Sequence, residues 1–310
     1  SYLDSNGLTI GVVNPTGITA TGDVFIATAT GDLSIAENIS TTSTSANAIV
    51  IAAGTSASAG GDGTPGSGNV LIDSANGTPA LSVGSGGTIG LYSGDVSGST
   101  GLTTLVGSGT GRFRYNTSID SSGTVTAGYS TALATDVINA LYREQSTVSG
   151  DIDSASITYG DALPTSFTLS NVTGLLNGDS SNGFTVNGAT DPANLSSAGL
   201  LKVKAGGYSI TESGLSELGY SVGSINPGTL TIGAKALTVS GLTASNKTYD
   251  GSALASLSSS GSLAGVETND VVSFSVAATF NSKDVESTKT LNLDYSLSNT
   301  DSANYTLVDQ

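Results

Sequence analysis

Five acidic side chains in the first part of the chain have the clearest capacity for chemistry: Asp23, Asp32, Glu37, Asp73 and Asp95. Two carboxylates about 5–10 Å apart on one face of a β-structure could serve as the acid and the base of a glycoside hydrolase. Each of the five lies close to Gly, Asn or Thr in a turn-like segment, where carboxylates commonly bond the backbone. We therefore interpret them as turn residues and predict no catalytic residue.

Basic side chains are missing from the same region, since Arg112 is the first Lys or Arg in the chain. A lyase that acts on acidic glycans needs cations to neutralise the substrate carboxylate, so this chemistry is disfavoured. The chain also has no His and no Cys, which supply most zinc, copper and haem ligands and the His of Ser-His-Asp and Cys-His catalysis. We predict a protein that is not an enzyme, with no cofactor and no cofactor-binding residue.

Calcium is the remaining metal for which the sequence offers ligands. Asp151 and Asp153 lie two residues apart, and Asp62 precedes Gly63 in a glycine-rich loop. Neither segment has the ligand spacing of an EF-hand or of the glycine-rich calcium-binding β-roll. A surface calcium ion that stiffens a domain junction and a set of turn acids both fit these residues, so the metal site stays open.

Length and charge set the broad class of the protein. The 310 residues are enough for two or three domains at about 100–200 residues each. With 9 basic and 25 acidic residues the formal net charge is −16, which repels nucleic acid and anionic membranes. No apolar run approaches the ~20 residues of a membrane helix, and there is no basic-then-apolar leader. We expect neither a nucleic-acid partner nor direct insertion into a membrane.

Residues 1 to about 116 consist of short β-forming segments separated by Gly, Ser, Asn and Asp turns. Many segments alternate, as in Leu8, Ile10 and Val12, which places one apolar face toward a core. The predicted strands are 8–13, 24–29, 33–36, 48–52, 70–72, 80–83, 88–92, 102–106 and 112–115, and residues 55–68 are predicted to form a loop.

The scarcity of aromatic residues distinguishes between β architectures. Before residue 111 they are only Tyr2, Phe25 and Tyr92, whereas a β-sandwich core would be expected to recruit more large rings. A ladder of Val, Ile, Leu and Ala suits a narrow stacked coil. The sequence therefore predicts the end of a right-handed parallel β-helix over residues 1–131.

One segment has helical periodicity. In residues 132–145 the apolar residues Leu133, Val137, Ile138 and Leu141 fall at i, i+4, i+5 and i+8. An open coil end exposes unpaired backbone and apolar side chains. We predict a short amphipathic capping helix, which also links the β-helix to the C-terminal half of the chain.

The sequence changes from residue 146 onward, where aromatic residues return and Lys appears for the first time. Ala155-Ser-Ile-Thr-Tyr-Gly-Asp-Ala-Leu-Pro164 and the strand-like Gly228-Thr-Leu-Thr-Ile232 resemble parts of the MBG domain of the Tyr-Gly (YGX) type, over residues 146–232. Lys247-Thr248-Tyr249-Asp250-Gly251 and Asn304-Tyr305-Thr306-Leu307 resemble the body and end of a YDG module, over residues 233–310. The resemblance implies two small β-rich, β-grasp-like modules in tandem.

Tyr159 and Tyr249, the tyrosines of the two motifs, invite comparison with a reactive site. In both motifs the Gly and Asp beside the tyrosine are turn residues, because Asp bonds its own backbone and Gly takes positive φ. We expect both rings to pack against their module cores, with their hydroxyls near the surface.

A third resemblance lies just before the predicted helix. Gly87-Thr-Ile-Gly-Leu-Tyr-Ser-Gly94 and Gly111-Arg-Phe-Arg-Tyr-Asn116 are similar to the closing rungs of filamentous-haemagglutinin-type β-helices. Taken with the MBG and YDG motifs, this identifies the chain as similar to adhesins exported by two-partner secretion. The resemblance implies an extracellular protein at the bacterial cell surface.

The functional expectation is a mainly β, non-catalytic adhesin or stalk segment that mediates attachment or biofilm cohesion. Its expected partners are glycan or extracellular-matrix polysaccharide, and self-association into fibres is a further expectation. The alternatives are a structural subunit of a self-associating extracellular filament and, as a third function, a β-helix enzyme that acts on glycans.

Overall fold

The computed structural model describes residues 2–11, 17–60 and 68–308. The predicted strand 8–13 runs past the first range, and much of the predicted loop 55–68, with Asp62, also lies outside the described residues. The chain forms two compact units. The first comprises Ser1–Ile152, Thr168–Thr185 and Glu212–Asn226, and the second comprises Asp153–Phe167, Val186–Thr211 and Pro227–Gln310.

The N-terminal part is built from short strands that stack in parallel. Its elements are β1 (Tyr2–Asp4), β2 (Leu8–Ile10), β3 (Ile18–Ala20), β4 (Val24–Thr28), β5 (Leu33–Ile35), β6 (Ile39–Thr41), β7 (Ile49–Ala52), β8 (Val70–Ile72), β9 (Leu81–Ser82), β10 (Ile89–Ser93), α1 (Leu102–Val106), β11 (Phe113–Arg114), β12 (Ser118–Ile119), β13 (Val125–Thr126) and β14 (Ile138–Tyr142). The stacked sheets have the orders β1-β4-β7-β10-β14-β11, β2-β5-β8 and β3-β6-β9. Each early coil gives one strand to each sheet, so this part is a β-helix-like solenoid.

Stacking in register creates the core of this solenoid. Ile26 pairs with Ile51, which pairs in turn with Leu91, and Ile35 pairs with Ile72 in a neighbouring sheet. These five side chains are at most 7% exposed. A ladder of similar aliphatic side chains packs without gaps from one coil to the next, as the aliphatic composition predicts.

The helix predicted over residues 132–145 is wrong. Ile138–Tyr142 is strand β14, which is inserted between β10 and β11 and pairs with both in parallel. Ala140 and Tyr142 face the solenoid core, while Leu141 packs in a second buried cluster on the outer face. A strand buried on both faces is an almost continuous apolar run, and such a run imitates helical spacing. The buried Asn139 amide fixes the strand by donating to Ile89 O at 3.2 Å and Ala134 O at 2.8 Å.

The strand predicted at 102–106 is also wrong, because this segment is helix α1. It begins after Gly101 and ends at Gly107, and it buries Leu102 and Val106 against the core. These two residues are four apart, which is the spacing of one helical face. The alternation rule failed because Leu102-Thr-Thr-Leu-Val106 fits both periods over so short a length.

The remaining elements are mixed sheets and short helices. They are β15 (Thr147–Ile152), β16 (Ala155–Thr158), β17 (Leu169–Thr173), β18 (Phe184–Val186), β19 (Tyr208–Glu212), α2 (Gly214–Glu217), β20 (Ser221–Asn226), β21 (Gly228–Gly233), β22 (Lys235–Ala244), β23 (Leu257–Ala264), β24 (Ser273–Phe280), β25 (Leu291–Ser298) and β26 (Tyr305–Leu307), with 3₁₀ turns at Pro192–Asn194 and Ser302–Asn304. The sheets are ordered β17-β15-β20, β16-β21-β19-β18, β23-β22-β26 and β24-β25. No helix in the described ranges is long and apolar enough to cross a membrane.

The sheet β17-β15-β20 and helix α2 belong to the first unit and close its core. Leu215, Leu218 and Tyr220 are at most 4% exposed and belong to the same buried cluster as Phe113 and Tyr115 of the last coil. The predicted need for a cap is therefore met by residues after 146. Strands and a short helix take the place of the predicted amphipathic helix.

The core ladder yields a stability prediction. Leu91→Ala removes a fully buried side chain of β10 and should lower the free energy of unfolding by about 2–5 kcal/mol, because the rigid ladder cannot collapse into the cavity. Leu3→Ala is the matched control, since Leu3 lies in the same sheet and is 51% exposed. Urea unfolding followed by circular dichroism measures both variants. Equal small losses would show that the stacked side chains do not form the core.

Candidate functional site

A buried carboxylate shared by two tyrosines lies where the first unit's solenoid ends. Asp179 Oδ2 accepts hydrogen bonds from Tyr115 Oη at 2.8 Å and Tyr220 Oη at 3.0 Å. The two rings lie 4.3 Å apart between centroids, and Asn177 Nδ2 donates to Tyr115 Oη at 3.0 Å. Tyr115 comes from the last coil, while Asp179 and Tyr220 come from the segments that close the core.

Local backbone geometry places these groups. Asn177 has a φ of 52°, and Asp179 N donates to Leu176 O at 2.9 Å, which closes the loop that carries the carboxylate. Leu176 N in turn donates to Tyr220 Oη at 3.1 Å. Gly219 precedes Tyr220 and has a φ of 98°, and a Cβ there would overlap the carbonyl oxygen of Tyr115. Only glycine permits this close approach of the two chain segments.

Burial controls the protonation of the cluster. It raises the pKa of Asp179, and the hydrogen bonds from Tyr115 and Tyr220 and the charge of Arg114 oppose that rise. Burial likewise raises the pKa of both tyrosines. The phenols therefore stay protonated and act as donors, while the second carboxylate oxygen, Oδ1, is buried without a hydrogen-bond partner among the described residues.

The second unit contains the same kind of contact. Asp270 Oδ2 accepts hydrogen bonds from Tyr159 Oη at 2.5 Å and Tyr305 Oη at 2.6 Å. The two rings meet edge to face, with centroids 5.2 Å apart, and Ser196 Oγ lies 2.6 Å from Tyr159 Oη. Burial raises the pKa of both tyrosines here as well.

The two contacts share one pattern of backbone hydrogen bonds. The residue three before each aspartate accepts from the aspartate N–H and donates its own N–H to one tyrosine hydroxyl: Leu176 to Tyr220, and Glu267 to Tyr305 at 2.9 Å. Those tyrosines stand at matching places, directly before β20 and as the first residue of β26. Strand β20 pairs in parallel with β15, and β26 pairs in parallel with β22. One structural device thus occurs twice in the chain.

The two motif tyrosines, Tyr159 and Tyr249, differ in exposure to solvent. The Tyr159 ring is buried as predicted, but its hydroxyl is buried too and not near the surface, because the whole residue is 1% exposed. The prediction that Tyr249 packs against its module core is wrong, because Tyr249 is 61% exposed. The predicted turn is confirmed: Asp250 Oδ1 accepts from Ser252 N at 2.9 Å, and Gly251 has a φ of 76°. Lys247 Nζ also forms an ion pair with Asp250 Oδ1 at 2.8 Å across this turn.

Four of the acids that could form a hydrolase pair accept hydrogen bonds, Asp73 and Asp95 from donors in their own turns and Asp23 and Asp32 from residues distant in the sequence. Their donors are Ser43 and Ser45 for Asp23, Asn69 N for Asp32, Ala75 N for Asp73, and Ser97 and Gly98 N for Asp95. For Asp23 these hydrogen bonds lower the pKa of the carboxyl group. A lowered pKa favours an ionised hydrogen-bond acceptor over a catalytic acid.

The structure also places a calcium candidate. Asp151 accepts from Asn171 Nδ2 at 2.7 Å and Asn226 Nδ2 at 2.6 Å, and these hydrogen bonds lower the pKa of its carboxyl group. Within the described ranges no group of three or more Asp or Glu residues is arranged to hold a metal ion. Asp62 lies outside those ranges.

Stacked parallel sheets followed by β-rich modules define the class of this protein. Residues 146–231 match the MBG domain (YGX type), and residues 233–310 match the YDG domain. A search of curated proteins and a search of solved structures found no match. The comparisons therefore place two domain types in the C-terminal half, and the shared aspartates fall one in each domain.

Protonation of Asp179 gives a pH prediction. Because its folded pKa is raised, the folded state takes up the proton more readily than the unfolded state, so stability is gained as pH falls through the raised pKa toward the ordinary value of 3.8. Asp179→Asn removes this titration. Wild type should gain stability relative to Asp179→Asn as pH falls through the raised pKa toward 3.8, as measured by urea unfolding over a series of pH values.

Asp120→Asn is a control of opposite sign. Hydrogen bonds from Ser122 and Thr124 lower the pKa of exposed Asp120, so its contribution is present above the ordinary pKa and is lost as pH falls. A flat or reversed difference for Asp179→Asn would contradict the proton-favouring environment assigned to Asp179.

Removal of the second carboxylate tests the contact in the second unit. Asp270→Ala leaves the buried Tyr159 and Tyr305 hydroxyls without their acceptor and should lower stability by about 1–3 kcal/mol. Asp294→Ala, at an exposed position of β25, is the control. Calorimetric unfolding of the full chain provides the measurement, and equal effects of the two substitutions would assign no structural role to Asp270.

Proposed function

We propose that this chain is a non-catalytic segment of a secreted bacterial surface adhesin of the filamentous-haemagglutinin-like, two-partner-secretion type. In this proposal the solenoid is the end of a right-handed parallel β-helix, and the MBG and YDG modules follow it in tandem. The proposal draws its main support from the repeated tyrosine–aspartate contact. Each contact joins a module to the preceding part of the chain with hydrogen bonds that are buried at Asp179 and partly buried at Asp270, which suits a mechanical role.

The surface of the chain is consistent with an extracellular, hydroxyl-rich partner. The sequence has a formal net charge of −16, and only 11% of its residues are charged, so much of the surface consists of Ser, Thr and Asn groups. Such groups exchange hydrogen bonds with neutral sugars at little cost in desolvation. We propose glycan or extracellular-matrix polysaccharide at the bacterial cell surface as the partner class.

Adhesion is tested with beads that carry the full chain. The chain-coated beads should be retained on immobilised extracellular polysaccharide, whereas albumin-coated beads should be washed off under the same flow. Retention should persist at about 0.5 M salt, because hydrogen bonds between neutral groups are screened far less than charge pairs. Retention equal to the albumin control on bacterial matrix and on host glycans would overturn the adhesive role.

A filament subunit is the second candidate, and the first coil supports it. Strands β1, β2 and β3 pair on one side only within the described residues, and Tyr2 and Leu3 of β1 are 53% and 51% exposed. An unpaired strand edge with apolar side chains can accept another strand. A further coil of the same protein, or a second chain, would satisfy this edge.

Electron microscopy of the negatively stained chain shows whether a second chain pairs with this strand edge. If separate chains stack on it, the purified protein should form fibres, and Leu3→Lys should reduce them because a charge on the edge blocks strand addition. Monodisperse particles for both proteins would remove the filament hypothesis and leave the adhesive stalk.

A further inference from the structure

The MBG and YDG domains share a short sequence pattern that begins in the first strand of each domain and ends at the motif tyrosine. Thr147-Val148-Ser149-Gly150 precedes Thr158-Tyr159, and Thr238-Val239-Ser240-Gly241 precedes Thr248-Tyr249 at nearly the same spacing. Val148 and Val239 are both buried. The first copy begins in β15 and the second lies in β22, and each strand pairs in parallel with the strand entered at Tyr220 or Tyr305. Tyr249 therefore holds in the YDG domain the position that Tyr159 holds in the MBG domain.

This equivalence makes Tyr249 the third member of a series. Tyr115 ends the solenoid and donates to Asp179 of the MBG domain, and Tyr159 of the MBG domain donates to Asp270 of the YDG domain. In both cases the donor belongs to one part of the chain and the acceptor to the part that follows. The first two rings are at most 1% exposed, whereas Tyr249 is 61% exposed.

The surroundings of Tyr249 have the character of an uncovered interface. Tyr249 lines an open groove of about 630 Å³ with Lys247, Phe280, Val285 and Lys289, and Val285 is 79% exposed. Exposed apolar side chains gathered at one groove are typical of interaction surfaces.

The lining of the groove is balanced in charge, with the lysines Lys247, Lys283 and Lys289 and the acids Asp250, Asp284 and Glu286. The occupant is therefore indicated by the repeated position of the tyrosine and not by charge. At Tyr159 that position is covered by the loop that carries Glu267 and Asp270, and Gly160, next to Tyr159, lies against the Glu267 side chain.

We propose that the groove around Tyr249 docks a following module of the same build as residues 233–310. In this arrangement the Tyr249 hydroxyl donates to the Asp270 carboxylate of the added module, and its ring packs against that module's Tyr305. The partner is thus a second YDG-type module, recognised by an aspartate-bearing loop and a tyrosine at the start of its last strand. The proposal rests on the proposed stalk function only in assuming that modules follow one another along the chain. The docking can fail while polysaccharide adhesion is retained.

A fusion protein tests the docking directly. The full chain is followed by a second copy of residues 233–310, so that Tyr249 occurs once at the junction and once at the free end. Tyr249→Phe in the first copy removes one buried hydrogen bond and should reduce the folded-to-unfolded ratio of the fusion about fivefold, measured by urea unfolding. The same substitution in the second copy is the matched control and should leave the ratio unchanged.

A double-mutant cycle tests the assigned partner. With Asp270→Ala present in the second copy, Tyr249→Phe in the first copy should have no further effect, because the acceptor is already absent. Equal effects of Tyr249→Phe in the two copies, or full additivity with Asp270→Ala, would overturn the proposal. So would sedimentation of the unfused chain as a dimer that Tyr249→Ala dissociates, since the groove would then serve a second chain.

Discussion

A stack of parallel coils can satisfy its backbone and bury its side chains everywhere except at its two ends. In this chain the core ladder of Ile26, Ile51 and Leu91 continues until the aromatic residues Phe113 and Tyr115, where the coils stop. The last coil must be covered, because an exposed end leaves both strand edges and apolar side chains in water. The larger aromatic side chains at this point widen the core, and Tyr220 and Leu215 from the MBG match complete it. Two segments of the MBG match, Thr168–Thr185 and Glu212–Asn226, therefore belong to the same compact unit as the solenoid.

The shared aspartate is what makes this closure specific. Packing of Tyr115 against Tyr220 alone would tolerate sliding, since offset aromatic contacts are stable over a range of positions. Two phenols that donate to one carboxylate oxygen fix both rings. The tyrosine of the following module also accepts a backbone hydrogen bond, Tyr220 from Leu176 N and Tyr305 from Glu267 N, which holds it a second time. Burial of the charged Asp179 carboxylate costs free energy, which is why its pKa is raised. The hydrogen bonds from the two tyrosines offset part of that cost. Such a site is stable only when every partner is present, so it rejects wrong pairings.

Much of the fold was accessible from the sequence, and the errors have physical causes. Strands such as Leu33–Ile35 alternate buried and half-buried residues, and period-two patterning finds them. Strand Ile138–Tyr142 was missed because outer residues such as Leu141 are covered as fully as the inner ones. The aspartates were missed because Asp179 and Asp270 lie in loops of turn-forming sequence, where nothing local distinguishes a buried acid from an exposed one. Asn-Gly-Asp179 and Asn-Asp270, each followed later by a Tyr that opens a strand, are the signal that comparison of the two modules supplies.

The use of tyrosine as the donor has a consequence for how these contacts respond to salt. An exposed Lys–Glu pair contributes little and weakens as salt rises, because mobile ions screen it. Neutral phenols that donate to a carboxylate as buried as Asp179 are shielded from those ions, and the raised pKa values of Tyr115 and Tyr159 keep the donors protonated in alkaline conditions. Salt therefore weakens such a contact less than it weakens an exposed ion pair. In a chain with few cations, a tyrosine–aspartate contact also joins successive modules without requiring a lysine or arginine at each joint.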